Sequence, residues 1–114
     1  MNDCVFCKID AGIIPSPKVY EDEDFFVICD IEPKAEKHYL AIPHKHFKYL
    51  ADMTEEDVET VGRILKKLPK LANEVLGLSN GYRLVVNQGD DAGQTVPHLH
   101  IHVLGGQKMD FPHF

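Results

Sequence analysis

His98, His100 and His102 stand at alternate positions in the stretch HLHIH, separated by Leu99 and Ile101. Successive strand side chains point to opposite faces. A strand over 98–103 therefore lines one face with imidazoles and turns Leu99, Ile101 and Val103 towards a core. Such a face supports two kinds of chemistry. Neutral imidazoles can hold a transition metal, with a carboxylate such as Asp90 or Asp91 completing the set. Alternatively, imidazole can attack phosphorus and exchange protons near neutral pH, passing through a covalent intermediate. The plain alternative is a solvated strand face. Histidine is too uncommon for that reading to be attractive.

The preceding loop, NQGDDAGQTVPH, favours phosphorus. Its glycines permit close backbone approach and positive φ, while Asn87, Gln94 and Thr95 can donate hydrogen bonds to anionic oxygens. Gly93 sits among them. Loops of this composition are ordinarily turns, so the loop gains weight only from the histidines beside it. A second cluster lies at the other end of the chain, where Cys4 and Cys7 form a C-x-x-C pair. Three cysteines make a poor disulfide framework, so this pair reads as metal or redox chemistry. Cys29, inside FFVICDI, reads as a small buried hydrophobe.

These residues need a scaffold. A short helix is expected around Phe6–Ala11, before IIPSP forces an extended path. Strands are expected near Lys18–Glu21 and Phe25–Asp30, joined by an acidic turn at Asp22–Asp24, and at His38–Pro43 after the loop EPKAEK. Thr54 and Asp57 resemble a capping box opening a helix. Val58, Val61, Leu65, Leu68, Ala72, Val75 and Leu76 form its apolar stripe, Pro69 should kink or split it, and Gly77 should end it. GYRLVVNQ and HLHIHVLG supply the last strands. The sum is a single α+β domain over 1–114, an antiparallel five-stranded sheet covered by one long helix. One helix leaves apolar surface open, so a homodimer is expected.

Bulk properties narrow the partners. The chain has 114 residues and a net charge of −6, with its Lys and Arg residues scattered. A polynucleotide binder needs a clustered basic face, whereas a mononucleotide can be held by backbone amides and a few side chains. The N-terminal stretch MNDCVFCKIDAG lacks the pattern of a signal peptide, and no stretch has the length of a membrane span. The expectation is a cytoplasmic protein with no membrane partner.

HLHIHVLGG fits the histidine triad pattern His-φ-His-φ-His-φ-φ, with φ apolar. The likeness extends over CVFCKIDAGIIPSPKVYEDEDFFVICDIEPKAEKHYLAIPHKH and GYRLVVNQGDDAGQTVPHLHIHVLGGQKM. The sequence resembles the nucleotide-binding (Hint) branch of the histidine triad superfamily, homodimeric purine nucleoside phosphoramidases and nucleotidyl-amino-acid hydrolases whose sheet extends across the two-fold. The resemblance implies that His100 attacks the α-phosphorus of a nucleoside 5′-phosphoramidate and that His102 contacts the phosphate oxygens or the bridging atom. His98 and His38 would complete a proton network behind the nucleophile. Asn87, Gly93, Gln94 and Thr95 would hold the phosphate and nearby ribose, and Asp30 and Ile31 the ribose and base. No cofactor is implied for catalysis. A structural zinc is implied on Cys4, Cys7, His46 and His98, and a His98 that ligates zinc cannot also relay protons. His44 and His113 read as surface residues. The chain departs from the branch in three places. Thr95 replaces a common serine, Pro69 interrupts the helix, and a C-terminal tryptophan is missing, with Phe111 or Phe114 the candidates to take its place, which leaves the leaving-group preference open. The sister branch, which hydrolyses dinucleoside polyphosphates, is the alternative enzyme, although VLGG after the triad favours the phosphoramidases. A nucleotide-sensing scaffold dimer and a metallohydrolase using the triad as ligands are the other readings.

Overall fold

Among the described residues, the punctuation of the sequence becomes five strands and two α-helices. In chain order these are α1 (Val5–Asp10), β1 (Lys18–Glu21), β2 (Phe25–Cys29), β3 (Lys37–Pro43), α2 (Glu55–Glu74), β4 (Tyr82–Val85) and β5 (Ile101–Gly105). The computed structural model describes residues 3–109, so Phe111, His113 and Phe114 lie outside the described residues. The strands form one antiparallel sheet in the order β1-β2-β3-β5-β4. β5 is inserted between β3 and β4, setting Leu40 and Val85 opposite His102 and His38 opposite Leu104.

Both faces of the sheet are covered. Phe25, Val27, Ala41, Ile101 and Val103 pack under Ile64, Leu68, Leu71, Ala72 and Leu76, from α2 and the residues just beyond it. On the opposite face, Phe26, Ile28, Leu40 and Ile42 pack against Cys4, Phe6 and Ile9 of the N-terminal segment. Burial on both faces explains why β2 reads as an unbroken apolar run rather than an alternating one. The capping box is present. Thr54 Oγ1 accepts from the Asp57 N–H at 3.1 Å, and Asp57 Oδ2 accepts from the Thr54 N–H at 3.1 Å.

The structure differs from the sequence expectation in four places. The buried line of α2 includes Ile64 and Leu71, whereas Val58 (53%), Leu65 (44%) and Val75 (47%) are exposed. Two apolar lines run along this helix, and only the sheet beneath selects one of them. Pro69 lies inside an uninterrupted helix. The hydrogen bond it forfeits is that to Leu65, whose turn faces water, where the freed carbonyl is readily solvated. β5 begins at Ile101 rather than at His98. The approach is held by contacts outside the ladder, from the His98 N–H to the Val96 carbonyl at 2.8 Å and from the Leu99 N–H to the Phe47 carbonyl at 2.7 Å. Cys29 ends β2 exposed, not buried. Among the described residues, no helix is long and apolar enough to cross a membrane.

Candidate active site

A cavity of about 790 Å³ opens on the α1 face of the sheet. Phe6, Ile9, Ile28 and Leu40 give it an apolar wall. Asp30, Ile31, Asn87, Gly93, Thr95, His100 and His102 also line it, with Asp30 close to His102 through His38. Ile31 is 93% exposed, which leaves its side chain available to a ligand at the rim.

The histidines in this cavity differ in which nitrogen is occupied. His100 Nδ1 lies 2.7 Å from the carbonyl oxygen of His98. A carbonyl only accepts, so Nδ1 carries a proton, and in the neutral ring Nε2 keeps its lone pair. The ring is buried at 6% exposure, with Phe6 packed edge-on at a centroid distance of 5.0 Å. His102 has the opposite arrangement. The Lys34 backbone N–H donates to His38 Nδ1 at 2.9 Å, so neutral His38 bears its proton on Nε2. That proton faces His102 Nδ1 at 2.9 Å and Asp30 Oδ2 at 3.3 Å. His102 Nδ1 therefore accepts and its own proton sits on Nε2, so the Asn87 side-chain amide, 3.4 Å away, meets it with its oxygen and not its NH2. Diagonal placement across β3 and β5 brings His38 to His102 rather than behind His100. Burial, reinforced by His100 and His38, lowers the His102 pKa to about 4, and burial also lowers that of His38 despite Asp30. The cavity thus offers a bare imidazole nitrogen beside an imidazole N–H.

The loop before the triad is a turn of 3₁₀ helix over Asp90–Ala92, bounded by Gly89 (φ 83°) and Gly93 (φ 78°). Both torsions lie where a Cβ is strained, which accounts for glycine at these two positions. Gln94 does not line the cavity. Its Oε1 accepts from the Gly89 N–H at 2.8 Å and its Nε2 donates to the Lys48 carbonyl at 3.2 Å, so this side chain braces the loop. Its two polar ends are used inside the protein. Asp30 Oδ1 likewise accepts from the Glu32 N–H at 2.8 Å, leaving Oδ2 towards His38 and the cavity.

His98 turns away from the cavity. Its Nε2 lies 2.9 Å from the Pro43 carbonyl and so carries the proton. Its Nδ1 faces Cys4 Sγ at 3.4 Å and Cys7 Sγ at 3.6 Å, and His46 Nδ1 lies 3.3 Å from Cys7 Sγ. The ligand atoms of Cys4, Cys7, His46 and His98 all fall within 4.8 Å of one another. Tetrahedral zinc, with bonds of about 2.3 Å to sulfur and about 2.05 Å to nitrogen, has a sulfur–nitrogen edge of about 3.6 Å. The cluster fits that geometry. An N–H of a ligating imidazole held by a backbone carbonyl, as at Pro43, is the usual outer support of such a centre. Burial, with His46 and His100 nearby, lowers the His98 pKa to about 4, and burial with Cys4 raises that of Cys7 to about 11. The imidazole is thus held neutral, as a ligand must be, and a bound cation would draw the thiol pKa back down. Among the described residues, groups able to share an ion place His98 with the cysteines and His102 with Asp30 and His38. None of them joins the three triad histidines.

Residues 3–112 match the family model described as scavenger mRNA decapping enzyme C-term binding. Protein HitA of Neisseria gonorrhoeae is 42% identical over 105 residues, covering 92% of this chain and 97% of that protein. A HIT family hydrolase from Legionella pneumophila superposes with a TM-score of 0.89 at 43% identity, covering 96% of this chain and 98% of that one. The chain belongs to the histidine triad superfamily. A zinc-bound histidine triad family protein from Mycobacterium smegmatis is also similar, at 37% identity and TM-score 0.79, covering 96% of this chain and 81% of that one.

Within this histidine triad protein, two of the imidazoles of HLHIH, His100 and His102, line the cavity, whereas His98 faces the thiols. His44, taken for a surface residue, is half-buried. Its Nδ1 meets Asp10 Oδ2 at 2.9 Å and its Nε2 donates to the Asp22 carbonyl at 2.7 Å. Lys34 was missed as well. Its contribution is a backbone N–H, for which no side-chain signal exists.

Proposed function

We propose that this histidine triad protein is a purine nucleotide hydrolase cleaving the P–N bond of nucleoside 5′-phosphoramidates. The observation that carries the reading is the complementary pair, His100 Nε2 unprotonated beside His102 Nε2–H in a cavity with an apolar slot. The purine enters the slot formed by Phe6, Ile9 and Ile28, with Ile31 at its rim. Asp30 Oδ2 accepts from the ribose hydroxyls. Asn87, the Gly93 backbone and the Thr95 hydroxyl hold the α-phosphate.

His100 Nε2 attacks phosphorus, forming a P–N bond to the imidazole while the bond to the amine breaks. The departing amine takes up a proton, for which His102 Nε2–H is the placed donor. Water then attacks the nucleotidyl-histidine, breaking its P–N bond and returning a proton to His102. In the free protein the depressed pKa keeps His102 neutral. An arriving phosphate anion favours its protonated form, raising its proton affinity when a proton is needed. His38 is a positioning residue that fixes the His102 tautomer. Positioning and charge stabilisation supply the acceleration.

Cys4, Cys7, His46 and His98 would hold a structural zinc, which supplies cross-linking of the N-terminal segment to the triad strand. With both ring nitrogens committed, His98 is a ligand rather than a relay. A second copy pairs along β4, the sheet edge, where Leu84 is exposed, with Val58 and Leu65 of α2 adding apolar contact. Free Cys4, Cys7 and Cys29 suit a reducing, cytoplasmic setting.

Turnover of adenosine 5′-phosphoramidate by the wild type and His100→Ala tests the proposal, and equal rates would refute the nucleophile. The decapping description of the matched family favours one second reading, hydrolysis of a dinucleoside polyphosphate. Side-by-side rates on diadenosine polyphosphates separate the two.

A further inference from the structure

Cys4 is the N-cap of α1, and its Sγ accepts from the Cys7 N–H at 3.4 Å. Positions three apart on a helix have Cα atoms about 5 Å apart. That lies inside the range of about 4.4–6.8 Å that a disulfide spans. Both sulfurs also face one atom, His98 Nδ1, at 3.4 and 3.6 Å, so they lie on the same side of the helix. The pair can therefore close on itself with little movement of the backbone. Cys4 is buried, whereas Cys7 is partly exposed.

Phe6 lies between the two cysteines and packs edge-on against both His98 and His100. The His98 carbonyl in turn accepts from His100 Nδ1 at 2.7 Å. With six residues, α1 is too short to persist by itself, so its place depends on what it touches. Asp10 holds its C-terminal end, meeting Lys18 Nζ at 3.3 Å and His44 Nδ1 at 2.9 Å. The N-terminal end is held by Phe6 and by the two thiols against His98 and His46. Whatever removes those thiol contacts loosens the wall beside His100.

We infer that Cys4 and Cys7 form an oxidation site, which a hydroperoxide closes to a disulfide that ends metal binding and releases the N-terminal end of α1 from His98 and His100. The inference rests on the zinc reading of the cluster, and its effect on ligand binding rests on the nucleotide reading of the cavity. In the loaded centre both sulfurs are thiolates, the form that attacks an oxidant. Cys7 Sγ, the more exposed, attacks hydrogen peroxide, whose O–O bond breaks to leave a sulfenic acid and hydroxide. Cys4 Sγ then attacks that sulfur, forming the S–S bond and expelling a second hydroxide. The two thiolates supply the two electrons that the peroxide takes up, and two protons from solvent turn the hydroxides into water. His46 and His98 remain as two imidazoles, too few to hold zinc. The Asp10 contacts keep the change local, and a dithiol reductant reverses it.

The test uses the zinc-loaded Cys29→Ser protein, because Cys29 is an exposed thiol on the wall of the nucleotide cavity. Hydrogen peroxide is expected to lower its mass by two hydrogens and to release its zinc to a chromogenic chelator. Dithiothreitol with added zinc should reverse both changes. The ¹⁵N imidazole signals of His98 and His100 should shift on oxidation while the thermal unfolding transition remains cooperative. AMP affinity by calorimetry should fall about tenfold, the scale of a lost aromatic edge contact, and recover on reduction. Zinc retained after peroxide, oxidation that only adds oxygen, or unchanged His100 signals would overturn the inference. So would AMP affinities within twofold of each other in the two states, or a chain that takes up no zinc. If the reduced protein binds no AMP, the nucleotide reading fails separately, and the mass, zinc and imidazole readouts decide the oxidation site. Peptide mapping of the wild-type protein, expected to place the disulfide between Cys4 and Cys7, replaces a Cys29→Ser chain that does not fold.

Discussion

His98 and His100 are two residues apart and share Phe6 as an edge-on neighbour, at 5.8 and 5.0 Å, yet they belong to different centres. At His98 both ring nitrogens are committed, one to a backbone carbonyl and the other to two thiols. At His100 only Nδ1 is committed, and Nε2 opens on the cavity. Both imidazoles are buried, so burial does not distinguish them. The partner of the second nitrogen does. A ring with two fixed partners can hold structure together, and a ring with one fixed partner can do chemistry.

The largest expected effect breaks one centre and spares the other. His100→Ala should lower phosphoramidate turnover by roughly 10³-fold or more, because the covalent path is removed. Metal content and melting temperature should stay at wild-type values, and metal lost from this variant would show that the centres are not separable. Cys4→Ser is the reverse experiment. It should abolish metal binding measured by elemental analysis and cost roughly 2–4 kcal/mol of stability by denaturant unfolding. Its loss of turnover should be smaller than that of His100→Ala.

Acid sharpens the contrast at His102. Its folded pKa of about 4 lies below the ordinary 6.5, so the unfolded chain binds this proton first as pH falls. The neutral ring's contribution is thus fully present above about pH 6.5 and is lost as pH drops towards 4. Melting temperature should decline over that window, and ¹⁵N imidazole shifts should show His102 neutral at pH 5.5. The smallest effect belongs to His44, outside both centres. Its pKa is raised, through Asp10 and the Asp22 carbonyl against burial, so its pairing stabilises at low pH and fades as pH rises through the raised value. His44→Gln should cost no more than about 1 kcal/mol at pH 6, and less at pH 8, by thermal unfolding.

Much of the scaffold was legible because its signals are local. The capping box of Thr54 and Asp57 and the acidic turn before β2 each depend on residues a few positions apart, whereas only the last two residues of HLHIH enter β5. His46, which completes the thiol–imidazole cluster, was not legible from spacing, since 39 residues separate it from Cys7. Only the family likeness pointed to it. Gln94 was misplaced because an amide in a glycine loop suits phosphate contact and loop bracing equally well. The buried line of α2 was misread for a similar reason, as two apolar lines compete and the sheet chooses.

By itself the sequence determined the composition of the chemistry, namely three alternating imidazoles, a glycine loop and a thiol pair, together with the strand and helix signals around them. Tertiary structure decided how that chemistry is divided. Inserting β5 beside β3 sets His38 diagonal to His102, packing α1 on the sheet brings the thiols to His98, and the Lys34 N–H fixes a tautomer two rings away. Each of these contacts joins residues that local preference cannot bring together, and a histidine's role follows from the partner of each nitrogen.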